Sequence, residues 1–422
     1  MFKDLMKFVL KFMARAVLAR YHPKIIAITG SVGKTTTKEA IFHAVSEQVP
    51  SRASRGNYNN EIGLPLAILG EQSGRKNIFL FLAVVAKFVG LMLGRSYPRI
   101  LVLEMAADRK GDIGYLASIA RPDIAVVTRV GEAHTEFLGD AETIQREKSQ
   151  LVRALDVRGV AVLNADDARV AAMQSLHRGK VVTFGLHPQA EVRAEEIKTQ
   201  QLTYGSVFNP ELDFSLRFVA VLQDNRIPIE SPCNLGNPKV YAMLAALATA
   251  AELGLDVTRA AERLRTLPLQ PGRLRPMSGI KRTVILDDSY NSSPEAAVES
   301  LRILTQIRAK RRLAVLADML ELGRATETAH RKIGRFVQTL GIDLLFCIGM
   351  RARFIAEEAR AAGLAKSRIF EYASTAEAAL PLQRKMQAGD AVLIKGSRGM
   401  HLEKVVLEVM AEPERAEELL VH

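Results

Sequence analysis

Five-residue apolar runs recur along the chain at 25–29, 100–104, 124–128, 160–164, 284–288, 313–317, 344–348 and 391–395. Amphipathic stretches separate most of them. A short unbroken apolar run reads as a strand buried on both faces, and the intervening helical pattern as a crossover, so the chain is expected to form mostly parallel α/β sheets. Around 191–230 the pattern changes to alternating residues with turn signals at Asn209-Pro210 and Asp224-Asn225, which predicts a small antiparallel addition. Leu267-Pro-Leu-Gln-Pro-Gly-Arg273 interrupts a helical pattern just before a fresh strand–helix run. The expected organisation is therefore a helix over 1–22, a large α/β unit over 23–271 and a second α/β unit over 272–422.

Two segments stand out for greasiness. Lys3, Lys7, Lys11 and Arg15 recur every fourth position and make one basic stripe on a helix, while Leu5, Phe8, Val9, Phe12, Met13 and Val17 fill much of the rest. Lys7 and Lys11 break the apolar core that a secretory signal needs. Two readings stay open for residues 1–20: a helix lying in a headgroup layer, or one whose apolar face packs on the protein's own body. The stretch 78–93, IFLFLAVVAKFVGLML, carries one charge, Lys87, and is flanked by Arg75, Lys76, Arg95, Arg99 and Tyr97. It falls short of the roughly 18 apolar residues of a span, but its flanks suit an interface. A peripheral contact on the inner face of the plasma membrane through 1–20 and 78–93, or a greasy surface helix, is expected; a transmembrane span is not.

Composition narrows the class. A length of 422 residues calls for at least two cores, and 48% hydrophobic with 25% charged residues is ordinary for a globular enzyme. Two cysteines, Cys233 and Cys347, supply neither a zinc cluster nor a disulfide framework, which fits a reducing cytoplasm. The net charge of +12 asks for an anionic partner. With no Trp and no Lys/Arg run interleaved with aromatics, nucleic acid is set aside in favour of a phosphate-bearing small molecule or a membrane surface.

The sharpest chemical signal is the run 25–36, in which an apolar strand passes into Gly30-Ser31-Val32-Gly33 and then Lys34-Thr35-Thr36 opens a helix. Glycines let backbone N–H groups turn inward around phosphate oxygens, and the helix start adds partial positive charge. Lys34 can neutralise β- and γ-phosphates, and the Thr35 hydroxyl can ligate Mg²⁺, so ATP with Mg²⁺ is the expected cofactor pair. The residue five before Gly33 is Ile28 rather than glycine, so the loop is a shortened form of the common phosphate-binding loop. Glu104 ends one strand and His134 follows another, which places both at the carboxyl edge of a parallel sheet, where ligands bind.

That shortened loop, Thr-Gly-x-x-Gly-Lys-Thr-Thr, resembles the loop of the Mur ligases. Further stretches match the family in order: Gly56-Asn-Tyr-Asn-Asn60-Glu-Ile-Gly-Leu-Pro65, Leu103-Glu104-Met-Ala-Ala, Lys110-Gly-Asp112-Ile, Gly131-Glu-Ala-His134-Thr-Glu136 and Arg146-Glu-Lys148. Leu163-Asn164-Ala-Asp166-Asp167, Pro271-Gly-Arg273, Asp287-Asp288-Ser-Tyr290-Asn291-Ser-Ser-Pro294, Asp318-Met-Leu-Glu321-Leu-Gly323 with His330, and Lys395-Gly-Ser-Arg398-Gly-Met400 follow. The resemblance implies a central P-loop ATPase domain followed by a C-terminal Rossmann-like domain. It implies ATP-dependent amide formation through an acyl phosphate, with D-alanyl-D-alanine and a muramoyl-tripeptide precursor of peptidoglycan as substrates, by a monomer. It also implies metal binding at Thr35, Glu104, His134 and Lys148, the last as a carbamate. Asn164 and Asp167 fall on the adenine side, and Arg273 reaches the γ-phosphate. Asp288, Tyr290 and Asn291 fold over the nucleotide, while Asn59, Asn60, Lys395 and Arg398 take the substrate side.

Three departures accompany the match. There is no room before Ile25 for the family's uridine-binding domain. Gly236-Asn-Pro238-Lys239-Val-Tyr-Ala242 stands where Gly-x-His-Asn-x-x-Asn is usual, and Arg129 replaces a common Asn. They open the reading that the acceptor is lipid-linked or held by a partner. A Mur-type ligase with another acceptor such as a folate, or a non-ligating membrane-associated ATP switch, are the alternatives.

Overall fold

The computed structural model describes residues 2–54, 56, 58–71, 78–131, 135–201, 213–232 and 234–421. Among these, β1 (Lys24–Thr29), β2 (Ser51–Ala53), β3 (Ile100–Glu104), β4 (Ile124–Val127), β5 (Val160–Asn164), β6 (Lys180–Gly185), β7 (Val192–Gln201), β8 (Phe214–Leu222) and β9 (Asn225–Pro232) form one sheet. Their spatial order is β2-β3-β1-β4-β5-β6-β7-β8-β9. Pairing is parallel from β2 to β7 and antiparallel from β7 to β9. The antiparallel addition expected near 191–230 is this β7–β9 meander.

A second sheet is built from β10 (Arg275–Gly279), β11 (Thr283–Asp288), β12 (Arg311–Ala317), β13 (Leu344–Ile348), β14 (Ile369–Tyr372) and β15 (Asp390–Lys395), in the order β10-β11-β15-β12-β13-β14. Only the β10–β11 pair is antiparallel. The strands β2, β6, β10 and β14 were not evident in the apolar pattern. Three of them are sheet edges or short, and β10 carries Pro276, which an edge tolerates because it needs no ladder donor there.

Each central strand is buried on both sides, and its alternate residues feed two layers. Ile26 and Ile28 of β1 join the core under helices Lys34–Val45 and Gly236–Glu252. Ile25 and Ala27 join the opposite core with the helices Gly63–Leu69, Asp112–Ile119 and Ala141–Arg153. In the second sheet Leu313 and Val315 face one layer, Ala314 and Leu316 the other.

Helix Phe2–Tyr21 docks on the second of these cores through Leu10, Met13, Ala14 and Val17. Two members of its basic stripe turn toward the body: Lys7 pairs with Glu61 at 3.0 Å, and Lys11 donates to Ser118 Oγ at 2.8 Å while lying over the Tyr115 ring, whereas Arg15 is exposed. Three large apolar side chains are left outward beside the exposed Arg15 and Arg20: Leu5, Phe8 and Phe12 are each more than 60% exposed. Helix Ile78–Leu93 runs beside it; the Tyr21 hydroxyl donates to the Leu91 carbonyl, and Leu82, Val89 and Leu93 are exposed. Among the described residues no helix is long and apolar enough to cross a membrane.

Candidate active site

The strand β1 delivers the chain to a tight turn. Gly30 adopts φ +152°, and a Cβ there would stand 1.9 Å from Thr128 Oγ1; Gly33 has φ +85° and starts helix Lys34–Val45. Only glycine fits both demands. Thr128 stitches the turn from below by donating to Val32 O at 2.7 Å, and Ser31 N donates to Arg129 O at 2.6 Å. The turn thus leads directly into the start of a 12-residue helix, whose first N–H groups carry partial positive charge. Thr35 is half-buried at that start, and Thr36 Oγ1 lies 3.5 Å from Gln270 Oε1. Lys34 folds back to donate to Gly30 O at 2.8 Å and Ser31 O at 3.3 Å. Burial lowers its pKa, Glu104 opposes the shift and Arg273 reinforces it.

Glu104 closes β3 beside this turn and is 2% exposed. Asn59 Nδ2 donates to its Oε1 at 3.1 Å, whereas Oε2 is buried without a hydrogen-bond partner. A buried carboxylate oxygen left unsatisfied is costly unless a cation completes it. Asn60 does something else: its Oδ1 accepts from Ile62 N and Gly63 N and caps the entry to helix Gly63–Leu69. Lys148, on helix Ala141–Arg153, is 1% exposed. Burial, with repulsion from Lys34, pulls its pKa to about 7 against the attraction of Glu147 and Asp108. Asp108 acts on both Lys34 and Lys148 and was not singled out from the sequence. His134 lies outside the described residues, and among the described ones no group of three or more His, Cys, Asp and Glu side chains is gathered as for a metal. The segment after it is tied to the second unit, with Thr135 Oγ1 donating to Leu322 O and Glu136 N to Glu321 O, both at 3.0 Å.

A cavity of about 280 Å³ opens between the carboxyl ends of the two sheets. Its lining includes Val32, Gly33, Thr36, Asn164, Arg273, Asp288, Asn291 and Lys395, so residues chosen from Val32 to Lys395 converge there. Asn164 Nδ2 donates to Thr128 O at 2.8 Å, locking β5 to the loop after β4. The Arg273 guanidinium is stacked 4.0 Å from the centre of the Tyr290 ring. Asp288 accepts from Ser300 Oγ at 2.6 Å, from Leu274 N at 3.2 Å and from Lys395 Nζ at 2.5 Å. Lys395 also donates to Asn291 O at 3.1 Å, so this lysine is a buried strut of the cavity wall rather than an open anion grip. Arg398 pairs with Glu403 at 3.0 Å and does not line the cavity. Asp167 is engaged in capping, accepting from Arg169 N, Val170 N and Val130 N.

Its neighbour Asp166 lines the cavity instead and accepts from His187 N and the Tyr241 hydroxyl, both at 2.9 Å. Phe184, Lys239 and Tyr241 complete that wall. These residues were missed in the sequence, although the departure at 236–242 pointed to their neighbourhood.

The comparisons agree with this geometry. The Mur ligase middle domain matches residues 28–81 and 86–250, and the Mur ligase glutamate ligase domain matches 272–398. The UDP-N-acetylmuramoyl-tripeptide–D-alanyl-D-alanine ligase of Synechocystis sp. is 33% identical over 93% of this chain and 76% of its own length. The Bacillus subtilis enzyme of the same name is 29% identical over 96% and 79%. Among solved structures, Thermotoga maritima MurF in complex with ADP superposes with a TM-score of 0.77 at 26% identity, covering 98% of this chain and 84% of that one. MurF from Acinetobacter baumannii gives 0.79 at 25% identity, covering 95% and 79%. With a glycine turn and an arginine from the second unit lining one cleft, a carboxylate at the end of β3 acting on the turn's lysine, and both domains matched in order, the chain belongs to the Mur ligase family.

Proposed function

We propose that the chain is an ATP-dependent, ADP-forming ligase that joins D-alanyl-D-alanine to a muramoyl tripeptide, as a monomer acting on small-molecule substrates in the cytoplasm. The observation that carries this reading is Glu104: a buried carboxylate with one oxygen lacking a partner, beside a phosphate-binding turn and within the field of Lys34. The likeness to enzymes named for this reaction supports the choice of substrates.

In this mechanism the turn Gly30–Thr36 gathers the ATP phosphates, and Lys34 exchanges the Gly30 and Ser31 carbonyls for β- and γ-oxygens. Arg273, held over the Tyr290 ring, neutralises the γ-phosphoryl group as it passes to the tripeptide carboxylate. Thr35, Glu104, His134 and Lys148 would hold Mg²⁺, which when bound offsets charge on the transferring group. A lysine whose pKa is near 7 keeps a substantial neutral fraction, the form that adds CO₂ to become a carbamate, so Lys148 suits its assigned role. The amine of D-alanyl-D-alanine then attacks the acyl phosphate, giving the amide and phosphate. Asp288, Asn291 and Lys395 wall the cleft and keep water from the acyl phosphate.

The test is phosphate release in the presence of ATP with each substrate alone and with both, together with mass spectrometry of the product. Release that requires both substrates, with a product mass equal to their sum less one water, is expected. Turnover indifferent to either substrate would mark an ATP-driven switch instead. A second reading concerns the acceptor's carrier. The outward Leu5, Phe8, Phe12, Leu82, Val89 and Leu93 support a peripheral membrane contact, and hence a lipid-linked acceptor.

A further inference from the structure

Lys239 is an anomaly in the cleft. It sits in the first turn of helix Gly236–Glu252 and is 3% exposed, and its Nζ has no hydrogen-bond partner. Buried ammonium groups are rare without a counter-charge, because losing water is repaid only by an anion or by acceptors. The carboxylate whose charge acts on it, Asp288, already accepts from Ser300, Leu274 and Lys395. Arg273 lies close enough to repel it, and burial with that repulsion brings the Lys239 pKa to about 8, so it stays mostly protonated at neutral pH.

We propose that Lys239 and the amino end of helix Gly236–Glu252 form an additional phosphate-binding position, at which the Lys239 ammonium donates to oxygens of the bound nucleotide. The inference rests on the cleft being the ATP site and assigns a residue that stands where the family has asparagine. Lys239 lines the same cavity as Val32 and Gly33 of the phosphate-binding turn, so a polyphosphate seated on that turn lies in its reach. An anion between Lys239 and Arg273 removes their mutual repulsion and supplies the missing partner. The helix start adds to the attraction: Leu235 at its cap makes no side-chain hydrogen bond to the first turn. Pro238 brings no N–H of its own, so the turn's side-chain donors to this cavity are the Lys239 ammonium and the Asn237 amide, and only the lysine carries charge.

The test is calorimetric binding of ADP, and ligand-observed NMR titration of adenosine, to the full chain and to Lys239→Met. Methionine keeps an unbranched chain one atom shorter and removes the charge. ADP affinity is expected to fall roughly tenfold or more, as for loss of a charge-assisted hydrogen bond, while adenosine affinity stays within about twofold. A loss for ADP less than about threefold greater than that for adenosine overturns the proposal. Should Lys239→Met prove misfolded by near-ultraviolet circular dichroism, Lys239→Gln is read by the same criterion. Failure of the wild-type chain to bind ADP at all would bring down the nucleotide-site reading itself. Binding to the wild type but not to Lys34→Ala establishes the site independently of Lys239.

Discussion

Lys34 donates to the carbonyls of its own loop, and the same ammonium is the one cation that the turn itself can place against a terminal phosphate. Lys34→Ala and Thr35→Ala are therefore expected to weaken ATP binding by about 10- to 100-fold each, a charge-assisted contact in the first case and a metal-linked one in the second. Equilibrium binding of a non-hydrolysable ATP analogue with Mg²⁺ checks this; retained affinity in the double variant would dismiss the turn as a phosphate site. Lys239 gives a pH-dependent consequence. Its folded pKa is near 8 and its unfolded value near 10.5, so between those limits the unfolded chain binds more protons and stability rises with pH. Below pH 8 the buried charge costs its full penalty, on the order of 3 kcal/mol. Lys239→Met should thus be more stable than the nucleotide-free wild type at pH 7, and the difference should shrink toward pH 10.5. Urea melts at several pH values measure it.

At the scale of elements, the turn between β1 and helix Lys34–Val45 depends on backbone clearance rather than on side-chain chemistry. A methyl at residue 30 would occupy the position of Thr128 Oγ1, and Arg129 N and O lie at 3.1 and 3.2 Å from it. Gly30→Ala is expected to destabilise by about 1–3 kcal/mol and to abolish nucleotide binding. Thr128→Ala in the same chain removes the closest atom and should restore part of the stability, as thermal melts would reveal. This turn was legible in the sequence because strand, glycines, lysine and helix start are contiguous and their chemistry is local. The central strands were legible for the same reason. The wall formed by Asp166, Phe184, Lys239 and Tyr241 was not, because its members meet only when helix Gly236–Glu252 packs across β5 to β7. Equally, spacing gave Lys395 as a strand-ending cation but could not show that Asp288, 107 positions away, would claim it. Spacing also showed a basic stripe on helix Phe2–Tyr21 without showing which way it faces, since Glu61, Tyr115 and Ser118 lie far along the chain.

That orientation decides how the whole molecule would meet a lipid surface. If the basic stripe faced outward, attachment would be electrostatic, and added salt would screen it within a Debye length of about 10 Å at 0.1 M. With Lys7 and Lys11 occupied by Glu61, Ser118 and Tyr115, the large side chains that lead outward on this helix are Leu5, Phe8 and Phe12. Leu82, Val89 and Leu93 extend the apolar surface on the neighbouring helix, while Arg15 and Arg20 remain exposed on the first. Burying a large apolar side chain contributes roughly 1.5–3 kcal/mol when complete, so three partly buried ones supply a few kcal/mol, enough for reversible attachment. Flotation of the full chain with liposomes containing one-quarter anionic lipid should therefore persist at high salt. Leu5→Ser, Phe8→Ser and Phe12→Ser together should leave the protein in the unbound fraction without loss of fold, because none of the three contributes to the core. Lys7→Ala with Lys11→Ala should act differently, lowering thermal stability slightly while leaving flotation intact. Release by salt alone, or equal recovery of wild type and the triple serine variant, would remove the membrane from the account and leave a freely diffusing ligase.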